Sequence, residues 1–180
     1  MPTGNGITAD TPVNLVVGAG VLIRNHAYFG ASIDNNLFAV EREMFTPDLN
    51  GIMADLMGTD YINRSVGRIE STIPEVGANV IAAGIPGATV DTSTPGQTLI
   101  SEATSRRIPD ASYADWELDI DRLNGGQFQF EVDNAINTAP FEGELQDNGL
   151  FSPRYVLAGR IDPNALTTSP WRIRILNVAS

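Results

Sequence analysis

Apolar and polar positions alternate along most of the chain with a period of two, which is the period of a strand with one buried face. The clearest case is Ala114–Asp121, where Trp116, Leu118 and Ile120 alternate with Glu117, Asp119 and Asp121. The turn cluster Leu123-Asn124-Gly125-Gly126 follows, and then Phe128, Phe130 and Val132 alternate with Gln127, Gln129, Glu131 and Asp133. Two alternating runs about an Asn-Gly-Gly cluster predict a β-hairpin with one buried face. Further strands are predicted at Val13–Val17, Gly20–Arg24, Ala27–Ile33 (after an Asn25-His26 turn), Leu37–Phe45, Val66–Ile73, Arg154–Ile161 and Trp171–Val178. In the last of these Trp171, Ile173 and Ile175 are assigned to a buried face, and Arg172 and Arg174 to a wet one.

One helix is predicted, at 74–84. Pro74 stands in its first turn, Glu75 near its positive end, Val76, Val80 and Ile81 at helical spacing, and Gly84 as its stop. The charge-poor stretch that follows, 84–97, is rich in Pro, Thr and Gly and reads as a loop. Residues 46–62 form a second long loop between two strands, and such loops are usually functional or ordered by a partner. Residues 1–12 read as an N-terminal arm. Many short strands separated by Gly, Pro, Asn and Asp clusters make this a mainly β chain, a β-sandwich with one short flanking α-helix and long loops. It is expected to be a single domain over 1–180.

Composition narrows the chemistry. The 180 residues hold 22 acidic and 11 basic side chains, for a net charge of −11, and every basic residue is Arg. An acidic surface without Lys is a poor nonspecific DNA binder, because that binding is built on phosphate neutralisation. The absence of Cys excludes a disulfide framework, a thiolate nucleophile and a cysteine zinc site. The start MPTGNGITADTPV has neither a basic region nor an apolar segment, so no secretory signal is expected. The longest uncharged stretch, Val76–Val90, is broken by Gly and Pro and too short to span a bilayer, so no membrane partner is expected.

Motifs with catalytic potential are few. Leu15-Val16-Val17-Gly18-Ala19-Gly20 imitates the opening of a dinucleotide fingerprint, but Ile23 stands where the third glycine belongs, and another strand follows. His26, the only imidazole, falls in a turn with no nucleophile elbow nearby. Asn63-Arg64-Ser65 matches a glycosylation sequon, which has no meaning without a secretory route. The carboxylates are more informative: the hairpin puts Glu117, Asp119 and Asp121 on one face with Glu131 and Asp133. Like charges opposed across strands are unfavourable. They require solvation, arginines from a neighbouring strand or subunit, or calcium, although no EF-hand-like spacing is present. A glycosidase acid pair is a further reading, without a visible cleft. No cofactor, metal site or catalytic residue is assigned, and an enzyme is the least favoured class.

The order of motifs resembles that of the major tail tube proteins of long-tailed bacteriophages and related gene-transfer or prophage particles. The similarity runs from Val21-Leu22-Ile23-Arg24-Asn25 through Val40-Glu41-Arg42-Glu43-Met44-Phe45-Thr46-Pro47-Asp48-Leu49 to Gly58-Thr59-Asp60-Tyr61-Ile62. It continues through Arg68–Ile73 and the helix to Arg106-Arg107-Ile108-Pro109-Asp110-Ala111-Ser112-Tyr113. Asp133-Asn134-Ala135-Ile136-Asn137, Arg160-Ile161-Asp162-Pro163 and Pro170-Trp171-Arg172-Ile173 complete it. The charge-poor 82–97 segment is longer and more proline-broken than the pattern leads one to expect.

The resemblance implies a structural protein of the virion tail, assembled in the host cytoplasm. Homo-hexameric rings would stack into a conduit for viral DNA, with tape-measure, tail-tip and terminator proteins as further partners. DNA would pass without specific binding, repelled by an acidic wall. The 46–62 loop, with Pro47, Leu49, Ile52, Met53, Leu56, Met57 and Tyr61, would make the ring–ring contact. The candidates for an acidic lumen or surface face are Glu41, Glu43, Glu70, Glu117, Asp119, Asp121, Glu131 and Asp133. A tube subunit of a contractile or secretion apparatus would share this fold. A β-sandwich glycan- or calcium-binding module is the alternative of a different class, and it would display exposed aromatics on a platform.

Overall fold

A computed structural model of the chain describes residues 20–47, 60–74, 77–102, 106–122, 126–142 and 151–177. Ten strands are found among them: β1 (Val21–Arg24), β2 (Ala27–Ala31), β3 (Ile33–Phe45), β4 (Tyr61–Thr72), β5 (Ala88–Asp91), β6 (Leu99–Glu102), β7 (Ala114–Asp121), β8 (Gln127–Asn137), β9 (Arg154–Ala158) and β10 (Trp171–Leu176). A single helix, α1 (Ala78–Gly84), lies between β4 and β5. Eight strands hydrogen-bond in the order β2-β1-β7-β8-β9-β4-β3, with β10 beside β8; β5 and β6 form a separate hairpin. All the pairings are antiparallel.

Strand β8 divides this sheet into two packed layers. Its first half, Gln127–Val132, lies between β7 and β10, and its last residues, Ile136 and Asn137, pair with β9. The bend between them is marked by Asn134, whose φ of 48° an Asn tolerates better than a branched residue. Leu22, Trp116, Leu118 and Val132 from one layer meet Ile69, Tyr155 and Leu157 from the other in one buried cluster. Aromatic rings cross the interface: Phe29 packs edge-on against Tyr155 at 5.8 Å, and Phe38 stacks on Phe130 at 4.7 Å. Such pairs add to the area they bury. The buried Tyr155 hydroxyl donates to the Val80 carbonyl at 2.6 Å, tying α1 to the end of the core.

Several expectations are corrected. The helix begins at Ala78 rather than Pro74, with residues 75–76 outside the described set, and Gly84 is its last residue instead of its stop. The helix is closed beyond Gly84, by the Ile85 N–H donating to the Ala82 carbonyl at 3.3 Å. The predicted 84–97 loop contains β5 and runs into β6; Gly87 and Gly96, at φ of 86° and 78°, make turns that free Thr89 and Val90 to pair. Ala27–Ile33 is split at Ser32, which exchanges hydrogen bonds with Gly20 at 2.8 Å. Strand β9 stops at Ala158, short of Ile161.

The face of β10 that alternation assigns to the interior is only partly covered. Ile173 and Ile175 are 48% and 55% exposed, because β10 runs along a layer edge beyond most of the facing layer. Strand β4, conversely, begins at Tyr61, so Tyr61 and Ile62 are strand rather than loop. Val13–Val17, the 1–12 arm, and Leu49, Ile52, Met53, Leu56 and Met57 of the predicted contact loop lie outside the described residues.

At Gly67 the two layers approach closely. A Cβ there would lie 2.4 Å from Trp171 Cβ and 3.1 Å from Val132 Cγ1. Gly67→Ala should therefore lower stability by about 1–3 kcal/mol through overpacking. In urea unfolding the midpoint should fall while the slope stays unchanged; an unaltered midpoint would contradict this close approach.

Candidate functional site

Two surfaces gather the residues singled out from the sequence. The first is the outer face of β7, β8 and β10. Burying Trp116, Leu118, Phe130 and Val132 turns the intervening residues outward, and the register sets Glu117 opposite Glu131 and Asp119 opposite Gln129. On the far side of β8, Arg172 lies opposite Glu131 and Arg174 opposite Gln129. Arg172 reaches Glu131 at 2.7 Å and Asp133 at 2.6 Å, and Arg174 reaches Glu131 at 2.9 Å. Of the routes open to the acidic face, neutralisation by arginines of a neighbouring strand is the one found here. Gln129 donates to Asp119 at 3.3 Å and Gln127 to Asp121 at 3.1 Å.

The arginines serve β8 more than β7. Burial, together with the neighbouring carboxylates of Asp119 and Glu131, pushes the Glu117 carboxyl up to about 7, against the opposing pull of Arg174. Burial also raises Asp133, against the pull of Arg172. His26 stands exposed at the end of this face in the Asn25-His26 turn, whose φ values of 48° and 62° suit a tight hairpin. It shares a small cavity of about 80 Å³ with Asp115, Glu117, Glu131, Asp133 and Arg172. No cluster of three metal-ligating side chains occurs among the described residues.

Glu41, Glu43 and Glu70 sit elsewhere, on the outer face of β3 and β4. Arg68 pairs with Glu41 at 2.7 Å, Arg154 pairs with Glu70, and Glu43 stands opposite Arg64. The eight acidic residues read from the sequence therefore form two groups on two layers, each interleaved with arginine.

The second surface is an arm. Strand β9 pairs with β4 only over Arg68–Thr72, whereas the β3–β4 ladder runs on to Phe45 opposite Tyr61. Beyond Gly67 these two strands run on without β9, although Ser65 Oγ still accepts from Trp171 Nε1 at 3.0 Å and residues 62–66 line a cavity of about 500 Å³ with residues 159–161 and 166–170. Met44, Phe45, Tyr61 and Ile62, near the far end of the described arm, are all more than half exposed. Of the seven loop residues picked from the sequence, Pro47 and Tyr61 are described, and Tyr61 belongs to this arm. The arm itself was legible only as a strand, because how far a strand outruns its neighbours is not written in its own alternation.

Trp116 is buried, and Phe29, Phe38, Phe130 and Trp171 are packed against the core, so these aromatics form no exposed platform. No helix among the described residues is long and apolar enough to cross a membrane. The chain matches no family model and no curated protein.

The raised Glu117 pKa makes a pH prediction. Its folded form holds the proton more tightly than the unfolded chain, so the stability this proton contributes is complete below the ordinary value of 4.5 and is lost as pH rises through about 7. Urea midpoints measured between about pH 5 and about pH 8 should decline for the native chain and decline less for Glu117→Gln. Identical slopes would remove Glu117 as the titrating group.

Proposed function

We propose that the chain is a structural subunit of a phage tail tube, assembling as hexameric rings that stack into a conduit for DNA. The observation that carries this reading is the β3–β4 arm. It is a two-stranded ribbon with Met44, Phe45, Tyr61 and Ile62 exposed near its end, leading into a segment that holds Ile52, Met53, Leu56 and Met57. Exposed apolar pairs on both faces of one ribbon, Met44 with Ile62 and Phe45 with Tyr61, support a protein–protein contact there. Stacked copies supply such a contact at every ring.

Two further features support the reading. Strands β2, β3 and β10 each have one neighbour among the described residues, so each offers an edge to another copy. Unpaired edges are a liability in a monomer, and closing the sheets around a ring removes it. Six chains at −11 also make a strongly acidic ring, which favours DNA sliding over adhesion.

Leu56→Asp or Met57→Asp should leave the subunit folded and block its polymerisation into tubes. Negative-stain microscopy of concentrated protein, with circular dichroism as the check on folding, reads the result. Tubes of normal length from either variant would remove the segment between β3 and β4 from the ring–ring contact.

A further inference from the structure

The arginines are not spread evenly over this acidic chain. Three of the 11, Arg106, Arg107 and Arg160, line one cleft of about 710 Å³. One wall is the 106–113 segment, closed by a 3-10 turn at Asp110–Ser112, and the other is the 160–164 segment after β9. Both walls are pinned, the first by the Gly87 N–H donating to Ser112 Oγ at 3.1 Å. Arg160 N–H donates to the Asp133 carbonyl at 3.1 Å, and its guanidinium Nη1 donates to the Ala158 and Gly159 carbonyls at 3.2 and 3.0 Å.

The cleft contains two carboxylates of its own. Asp110 pairs with Arg107 at 3.2 Å, and Asp162 closes its own turn by accepting from the Asn164 N–H at 2.8 Å. Neither Arg106 nor Arg160 has a carboxylate partner among the described residues. With Arg160 turned onto its own carbonyls, Arg106 is the arginine that presents its charge to the cleft without a carboxylate among the described residues, and Ile161, 47% exposed, lines the same cleft. A complementary ligand carries one carboxylate next to an apolar side chain. A polyphosphate would bring several negative charges against Asp110 and Asp162, whereas a single peptide carboxylate matches one arginine.

The β5–β6 hairpin has that composition. It forms a two-stranded sheet of its own with α1 packed beside it, and a two-stranded sheet is marginal unless more of it is covered. Its register puts Asp91 opposite Leu99 and Thr89 opposite Ser101, so these four share one face. Leu99 is 53% exposed, and the Asp91 carboxylate is ordered by accepting from the Ser93 N–H at 2.8 Å. Copies of a chain at −11 repel one another, so self-association needs local sites of opposite charge.

We infer that the arginine cleft of one copy receives the Asp91–Leu99 face of the β5–β6 hairpin of a second copy. Different surfaces of each chain meet in this contact, so it is heterologous and closes when its rotation generates a ring. It rests on the reading of the chain as a self-assembling subunit, and assigns that assembly a lateral contact distinct from the β3–β4 arm.

The test is a charge swap followed by sedimentation velocity over a concentration series at low and high salt. Arg106 is exposed and has no ion pair among the described residues, so Arg106→Glu should leave the circular dichroism spectrum unchanged. Arg106→Glu and Asp91→Arg should each raise the concentration needed for association by about tenfold or more, and combining them should recover most of the loss. Association of the native chain that neither single variant weakens overturns the cleft contact and leaves self-assembly standing. Losses that the combination does not repair overturn the hairpin as the occupant. A native chain that remains monomeric throughout overturns both.

Discussion

The outer face of β7, β8 and β10 is a by-product of the interior. Trp116, Leu118 and Val132 must face Leu157 and Tyr155 to close the core, and a strand alternates strictly, so Glu117 and Glu131 are forced opposite each other. A slip of one residue would relieve the carboxylates but carry every apolar side chain into water. The core therefore wins, and the chain resolves the conflict one strand further on, where Arg172 and Arg174 stand beside β8. Their reach is short. Glu131 is bound by both, while Glu117 keeps a raised pKa.

The same strand links the two layers. Because β8 pairs with β10 through Val132 and with β9 from Ile136, the bend at Asn134 determines how the layers meet. The polar groups freed at that bend are satisfied. The Asn134 N–H donates to the Asp115 carboxylate at 3.0 Å, the Asp133 N–H to the Pro170 carbonyl at 2.9 Å, and the Arg160 N–H to the Asp133 carbonyl at 3.1 Å. Just beyond, the buried Asn137 side chain donates to the Gly84 carbonyl at 2.8 Å and accepts from the Val156 N–H at 2.8 Å. One amide thus joins helix, strand and neighbouring strand where no regular ladder could.

The strand-rich character and the β7–β8 hairpin were legible because alternation and turn chemistry are both local. Trp116, Leu118, Phe130 and Val132 point inward as their pattern requires. What escaped depends on neighbours. Ile173 and Ile175 obey the same alternation, yet are half exposed because the facing layer ends before it covers them. The β5–β6 hairpin hides in a Gly- and Pro-rich stretch whose residues read as loop until Gly87 and Gly96 are seen turning the chain between short pairing runs. Arg106-Arg107 was visible as a dipeptide, but Arg160 joins it only through the fold.

The β3–β4 arm has a mechanical consequence. Its tip and the core share one ladder, from Phe45 opposite Tyr61 back to Ile33 opposite Thr72, with register shifts between Glu43 and Met44 and between Ile33 and Leu37. A pull on the tip along the strand axis draws β3 and β4 the same way and loads the β4–β9 ladder, Arg68–Thr72 against Arg154–Ala158, in shear, so that its hydrogen bonds must yield together instead of unzipping singly. Tension reaching the apolar end of the arm is passed into Ile69 and its packed neighbours rather than dissipated in a hinge. The arm is thus a stiff extension of the sandwich, suited to carrying load.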